Sequence, residues 1–207
     1  MSLYSIWLAE FASIEVFPDA LMIAGTLAPT TRRLPYTYVV LKSAEKTILI
    51  DIGFDFRDYA KALVSTMGLN NWQPPKNILG QLKINPEDVS DIIITHAHFD
   101  HMGGMDFFPN ATFHIQEREL TDWVWALAVD PKLQKLHFCV NPADILKMTE
   151  LATQGRVRCI KGDADNYFDG IDLRIANDTH TWGSQYVIIR NDGKANSDDK
   201  YVMAGGP

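Results

Sequence analysis

Four side chains that commonly ligate transition metals are crowded into one short segment of the chain. The sequence contains six histidines, and His96, His98 and His101 lie in a hexapeptide that also includes Asp100. Imidazole and carboxylate donors together suit Zn²⁺, and Fe, Mn and Co accept the same donors. The residue types therefore predict a metal centre, because a solvated loop would have to gather these donors by chance.

The elements around this segment determine where its side chains point. The apolar residues 92–94 precede it and are typical of a buried strand. In extended backbone, residues i and i+2 share a face, so His96 and His98 are expected to present their rings to one ion at the end of this strand. Asp100 and His101 follow where the chain turns, and we expect them to face a second metal position nearby.

Short β-branched runs alternate with helical patterns along the chain. Strands are predicted over residues 38–41, 47–50, 91–95, 112–115, 156–160 and 186–190. Helices are predicted over residues 56–67, 86–89, 117–129 and 142–153, the last with Asn141 as N-cap and Gly155 as C-cap. The polar residues 191–200 predict a long hairpin loop. No repeat or linker divides the chain, so residues 1–207 are expected to form a single α/β domain.

Composition and charge exclude several classes of partner. The chain has 19 Lys and Arg against 26 Asp and Glu, a net charge of −7, which disfavours binding to nucleic acid. No uncharged apolar run approaches the roughly 20 residues of a membrane span.

Acidic residues precede the first basic residue, Arg32. This order is unlike a secretory signal and predicts a cytoplasmic protein. Cys139 and Cys159 are expected to be free structural thiols.

The segment from His96 to His101 resembles the His-x-His-x-Asp-His signature of the metallo-β-lactamase superfamily. Two other segments support the resemblance. Residues 49–53 look like the strand of that superfamily that ends in Asp-x-Gly, where Asp51 either orients a metal ligand or forms a turn. Residues 178–185 look like its Gly-His-Thr-x-Gly-Ser segment. The resemblance covers nearly the whole chain and implies a metallo-β-lactamase-like αββα sandwich.

The same resemblance implies a set of metal ligands. By that match His180 completes a first site with His96 and His98, while Asp100 and His101 belong to a second site. The intact family site holds two ions, which are expected to be Zn²⁺. The resemblance also implies a catalytic role for Asp100, which helps to shuttle a proton.

Some features that are less specific than the metal motif resemble the N-acyl homoserine lactonase-like hydrolases. These features are residues 35–40, Phe99, residues 108–111 and residues 116–119. They imply that a small-molecule lactone or related ester is opened by a metal-bound hydroxide. Two alternatives stay open. A glyoxalase II-like thioesterase would share the metals but needs a basic patch for an anionic thiol carrier. A degenerate, non-catalytic metal-binding scaffold would hold at most one ion and hydrolyse nothing.

The end of the sequence departs from the family pattern. The family continues with Gly-Asp, whose carboxylate bridges both metals, and later adds another histidine. Here Gly206 stands where that aspartate is expected. We therefore expect a sandwich that lacks part of its C-terminal half, with reduced metal affinity at the second site.

The remaining histidines and aromatic residues have structural interpretations. His114 lies in a strand pattern and His137 lies beside Phe138, so both histidines are predicted to be structural. Trp123, Trp125 and Phe138 either form a wall that faces the substrate or belong to the apolar side of a helix that packs on the sheet. Helix packing is the favoured interpretation.

Overall fold

The computed structural model describes residues 3–23, 25–130, 132–133 and 137–205. Its strands span Ser5–Pro18 (β1), Thr31–Lys42 (β2), Thr47–Ile50 (β3), Leu69–Asn70 (β4), Val89–Ile93 (β5), Thr112–Gln116 (β6), Val157–Ile160 (β7), Ala164–Phe168 (β8), Ile171–Ile175 (β9), Gln185–Arg190 (β10) and Lys200–Ala204 (β11). Its α-helices span Asp58–Ser65 (α1), Pro75–Gln81 (α2), Phe99–Met102 (α3), Glu117–Ala126 (α4) and Pro142–Thr153 (α5).

The strands form two sheets. The seven-stranded sheet has the order β4-β1-β2-β3-β5-β6-β7, and the four-stranded sheet has the order β11-β10-β9-β8. Strands β3, β5, β6 and β7 are parallel neighbours, whereas the paired strands of the smaller sheet are antiparallel. The carboxyl ends of the parallel strands meet at one edge of the larger sheet, and the histidine-rich segment leaves β5 at that edge.

Two apolar cores lie on opposite faces of the larger sheet. The alternation of side chains along β2 sends Val40 into the core under the helices and Leu41 into the core between the sheets. All residues of β3 are buried, because both faces of this strand are covered. The apolar side chains that α1, α4 and α5 bury all belong to the core under the helices.

The predicted α/β fold with two sheets is confirmed. Among the described residues, the buried apolar helix residues pack on the larger sheet, which gives three layers of the predicted αββα sandwich. No helix in the described part of the chain is both long enough and apolar enough to cross a membrane.

Most predicted elements occur, with shifted ends. The helix predicted over 56–67 spans Asp58–Ser65, and the helix predicted over 117–129 ends at Ala126. The segment 86–89 instead contains a 3₁₀ turn, Pro86–Asp88. Helix α5 has its predicted bounds, because the side chain of Asn141 accepts a hydrogen bond from the N–H of Ala143 at 3.1 Å.

The sequence patterns missed strand β1, although it is the longest strand described. Its pairing with β2 shifts register between Glu10 and Ala12 and again between Ile14 and Phe17. Each shift breaks the alternation of apolar and polar residues by which a strand is recognised. Strands β4, β8 and β9 were also missed. The predicted hairpin loop over residues 191–200 joins β10 to β11, which pair in antiparallel fashion.

A buried polar cluster around His114 connects the two sheets. Its Nδ1 lies 2.7 Å from the hydroxyl of Tyr167 on β8, and its Nε2 lies 3.0 Å from Asp91 Oδ1 on β5. Ser90 and Lys46 also contact the Asp91 carboxyl. Burial opposes the charge of Asp91, but the hydrogen bonds from His114 and Ser90 outweigh it and lower its pKa to about 2. These contacts give His114 a structural role.

Ionised Asp91 should therefore stabilise the fold. Its pKa in the unfolded chain is about 3.9, so the contribution is present above about pH 4 and is lost as the pH falls towards 2. We expect Asp91→Asn to lower the free energy of unfolding by about 2 kcal/mol at neutral pH, and by progressively less below pH 4. Urea unfolding followed by tryptophan fluorescence measures this difference, with the exposed Asp88→Asn as control. A difference that does not change with pH would contradict an electrostatic origin.

Candidate metal centre

The candidate metal ligands come from three places along the chain. They meet at the end of the larger sheet where the parallel strands have their carboxyl ends. His96 and His98 lie in the extended segment after β5, and His98 is also the N-cap residue of α3. Asp100 and His101 lie on α3 itself. His180 lies in the loop between β9 and β10.

The structure brings three imidazoles together. One nitrogen of each of His96, His98 and His180 lies within 4.8 Å of the others, and His180 Nε2 is 3.1 Å from His98 Nδ1. Among the described residues, this is the group of three or more donors that is compact enough to hold one metal ion. His96 is buried at 1% exposure, whereas His180 is exposed. The extended backbone accounts for the shared direction of His96 and His98.

These imidazoles are in the protonation state that favours binding of a cation. Burial and the neighbouring histidines lower the pKa of His96 far below its usual value, and burial is the main cause that lowers the pKa of His98 to about 4. Burial likewise lowers the pKa of His180. The Nε2 of His96 is buried and has no hydrogen-bond partner among the described residues. Neutral rings and an unpaired buried nitrogen are what a metal site requires, because metals bind the deprotonated imidazole.

Asp100 and His101 form a charged pair beside the three imidazoles. Asp100 Oδ2 lies 3.5 Å from His101 Nε2, and the ring of His101 is centred 4.0 Å from that of His96. Burial opposes the charge of His101, but Asp100 and Asp51 outweigh it and raise its pKa to about 10. Burial also opposes the charge of Asp100, but His101 outweighs it and lowers the pKa of this carboxyl. A metal ion bound by His101 would have to displace a proton.

Asp51 connects this pair to the strand that carries the histidines. Its Oδ1 accepts the N–H of Thr95 at 2.8 Å, and its Oδ2 lies 2.8 Å from Thr95 Oγ1 and 2.7 Å from His101 Nδ1. The backbone of Asp51 also turns sharply, with φ at 60°. Asp51 therefore contacts the ring of His101 directly, and its role in orienting a metal ligand stays a prediction. Sequence reasoning missed Thr95, whose only signal was its place before His96.

The last described residue packs against the same site. A side chain at Gly205 would place its Cβ 1.8 Å from Thr95 Oγ1 and 3.1 Å from His96 Nδ1, so only glycine fits at the end of β11. Gly206, where the bridging aspartate is expected, lies outside the described residues.

A cavity of about 550 Å³ opens onto the candidate ligands. Its wall includes His98, Asp100, His101 and His180, and most of the remaining lining is apolar. The apolar and aromatic side chains of the wall include Phe17, Leu21, Met22, Leu34, Tyr36, Leu63, Met67, Phe99, Phe138 and Met203. No Lys or Arg occurs among the described residues that line it.

The three aromatic residues considered for the substrate wall have different environments. Phe138 lines the cavity. Trp123 instead packs in the core under the helices, with its ring 4.6 Å from that of Trp182. Trp125 is 66% exposed and does not line the cavity. Cys139 also lines the cavity, where burial raises the pKa of its thiol to about 11 and keeps it protonated.

Residues 30–155 match the model of the metallo-beta-lactamase superfamily, which is more than half of the chain. The chain belongs to this superfamily. Its fold also resembles that of an N-acyl homoserine lactone hydrolase solved with the product N-hexanoyl-L-homoserine at its catalytic metal centre. That similarity has a TM-score of 0.65 at 20% identity and covers 93% of this chain and 72% of the other.

The curated proteins that this chain matches are much longer than the chain. An N-acyl homoserine lactonase from Bacillus sp is 32% identical over 116 residues, which are 49% of this chain and 44% of that protein. A cytochrome P450 monooxygenase, mpaDE', from Penicillium brevicompactum is 25% identical over 202 residues, which are 91% of this chain and 23% of that protein. The chain therefore spans less than half of the length of these curated relatives.

Removal of one imidazole should abolish tight metal binding. We expect His98→Ala to weaken Zn²⁺ binding by more than about 100-fold, because the site loses one of its three protein ligands. Competition with a chromophoric chelator measures the affinity, and elemental analysis gives the number of ions per chain. His114→Gln, which changes a histidine outside the cluster, is the control. Equal affinity of His98→Ala and the wild type would contradict the assignment of these ligands.

Proposed function

We propose that this protein is a metal-dependent hydrolase that opens a lactone, such as an N-acyl homoserine lactone, or a related ester. The observation that carries the proposal is the cluster of His96, His98 and His180, of which His98 and His180 line a largely apolar cavity. Two similar proteins that are described as lactonase or lactone hydrolase support the choice of substrate class.

In this proposal His96, His98 and His180 hold one Zn²⁺, and Asp100 and His101 contribute to a second position. A divalent ion held by the three imidazoles supplies Lewis acidity, which generates a nucleophile from water near neutral pH and polarises the substrate carbonyl. The low pKa values of His96 and His98 keep these rings neutral, so they are ready to bind the ion without losing protons.

Asp100 is the proposed proton carrier. His101 beside it lowers the pKa of the Asp100 carboxyl despite burial, so the side chain is ionised at neutral pH and can accept a proton. The side chain is 23% exposed and lines the cavity next to His98. From this place it can receive a proton from the attacking water and return it to the alcohol that leaves when the ring opens.

The cavity favours an uncharged, acyl-bearing substrate. Its wall combines apolar side chains such as Leu34, Leu63 and Met67 with the candidate ligands, so an acyl chain can lie against the former while its carbonyl reaches the latter. A glyoxalase II-like thioesterase is the less favoured alternative, because the described lining contains no Lys or Arg to pair with an anionic thiol carrier. The second alternative, a non-catalytic scaffold, is separated from an enzyme by turnover.

The direct test is lactone opening by the metal-loaded protein. N-Hexanoyl homoserine lactone should be converted to the ring-opened acid, and a strong chelator should stop the reaction. Loss of the carboxylate in Asp100→Asn should lower kcat by about 100-fold. A pH-indicator assay gives the rate, and mass spectrometry identifies the product by the added water. An acyl thioester assayed in parallel tests the thioesterase alternative. Metal binding without turnover of either substrate would favour the scaffold.

The apolar wall predicts a dependence on acyl chain length. Burial of each added methylene should raise kcat/KM about fourfold until the cavity is filled. Leu63→Asn should reduce kcat/KM more for an octanoyl than for a butanoyl substrate, whereas Leu146→Asn, at a side chain that is 63% exposed on α5, should affect neither. An equal loss for both chain lengths would place the acyl chain elsewhere.

A further inference from the structure

Glu119 is a fully buried carboxylate that contacts residues next to the candidate metal-binding histidines. It occupies the first turn of α4 and has 0% exposure. A buried charge is costly unless hydrogen bonds satisfy it. Its position in the first turn of a helix suits an acidic side chain, because the helix N-terminus carries a partial positive charge.

Four donors converge on this carboxylate from three chain segments. Oε1 accepts the N–H of Ala97 at 2.8 Å and the indole N–H of Trp123 at 2.9 Å. Oε2 accepts the hydroxyl of Thr181 at 2.8 Å and the N–H of Gly183 at 2.7 Å. An ionised carboxylate offers about four acceptor positions and no donor, so the contacts match its full capacity.

Three of the four donors, Ala97, Thr181 and Gly183, belong to the two segments that carry the clustered imidazoles. Ala97 lies between His96 and His98, and Thr181 directly follows His180. Gly183 packs so closely that a Cβ there would lie 2.3 Å from the backbone N of Glu119. One side chain therefore sets the distance between the strand end that bears two imidazoles and the loop that bears the third.

Other contacts between these elements lie at the end of the His180 loop or at its surface. Gln185, at the start of β10, donates its N–H to Thr95 O at 2.9 Å and its side-chain N–H₂ to Ile94 O at 2.8 Å. Arg118 on α4 pairs with Asp178 in the His180 loop at 2.8 Å, but these side chains are 40% and 62% exposed. Exposed ion pairs contribute little to stability, whereas buried hydrogen bonds to a charged group are among the strong ones. Within the loop, the bonds of Glu119 to Thr181 and Gly183 are buried contacts that reach the residues next to His180.

We propose that Glu119 is a positioning residue for the first metal site: it holds His180 at the distance from His96 and His98 that a single ion requires, and the metal affinity depends on it. The inference rests on the proposed metal site and deepens it. Glu119 contacts none of the imidazoles directly and acts through the backbone and the Thr181 hydroxyl.

The test is the Co²⁺ affinity of the folded protein with Glu119→Gln. The amide conserves volume but presents an N–H₂ group to a set of donors. We expect Co²⁺ to bind 10- to 100-fold more weakly, the loss typical when groups that orient metal ligands are changed, and the visible d–d spectrum of the bound ion to change. Glu117→Gln, on the same helix but solvent-accessible, should remain within twofold of the wild type. Circular dichroism verifies folding.

An unchanged Co²⁺ affinity and spectrum in Glu119→Gln, with a lower midpoint of urea unfolding, would overturn the proposal and leave a purely structural role. If Glu119→Gln does not fold, Thr181→Val replaces it, with Thr181→Ser as the variant that retains the hydroxyl. Weaker binding by Thr181→Val and normal binding by Thr181→Ser would support the proposal, and equal binding would overturn it.

The measurement separates this inference from the proposed hydrolase activity. Wild-type protein that binds Co²⁺, loses affinity in Glu119→Gln and hydrolyses no lactone would support the role of Glu119 and contradict the hydrolase. Wild-type protein that binds no Co²⁺ would overturn the metal centre and the positioning role together.

Discussion

Two buried carboxylates hold together the chain segments that carry the metal-type side chains. Asp51 leaves the end of β3 and binds Thr95 and His101, whereas Glu119 on α4 binds Ala97 and the loop after His180. Both carboxylates act at the carboxyl edge of the parallel strands, where neighbouring backbone groups have no further strand to pair with. Their hydrogen bonds satisfy part of that edge, and the convergence of the imidazoles depends on them.

The imidazoles near the two carboxylates differ in their charge. The imidazoles near Glu119 are neutral, because burial and mutual repulsion lower the pKa values of His96, His98 and His180. The ring near Asp51 is charged, because Asp100 and Asp51 outweigh burial and raise the pKa of His101 to about 10. The imidazoles of the proposed first site are therefore already deprotonated, whereas an ion at the proposed second position would have to displace a proton.

The cavity brings apolar side chains together with candidate metal ligands, as the proposed hydrolase requires. Its lining combines apolar side chains from β1, β2 and α1 with the polar residues that follow β5. Residues from distant parts of the chain meet here because the β1–β2 hairpin and α1 flank the same sheet edge. The end of β11 completes the wall, with Gly205 against Thr95.

The sequence by itself determined the local part of the site. His96 and His98 share a direction because their spacing acts through extended backbone, and Asp100 and His101 follow within one turn of helix. The α/β class, the helix α5 with its Asn141 cap and the place of His180 were also accessible, the last through resemblance to a family. All of these depend on short-range patterns or on a motif.

The tertiary structure alone decided which distant groups support those ligands. Thr95 looked like an ordinary strand residue, and Glu119 entered only as part of the family-like segment 116–119. For Trp123, helix packing was favoured over the cavity wall, and the structure places it in the core under the helices. Strand β1 was hidden because its register shifts interrupt the alternation of side chains. Hydrogen bonds between residues such as Ala97 and Glu119, or Glu119 and Gly183, depend on how the sheet edge, α4 and a loop pack. A local pattern contains no information on such distances, because they arise only when the elements assemble around a common core.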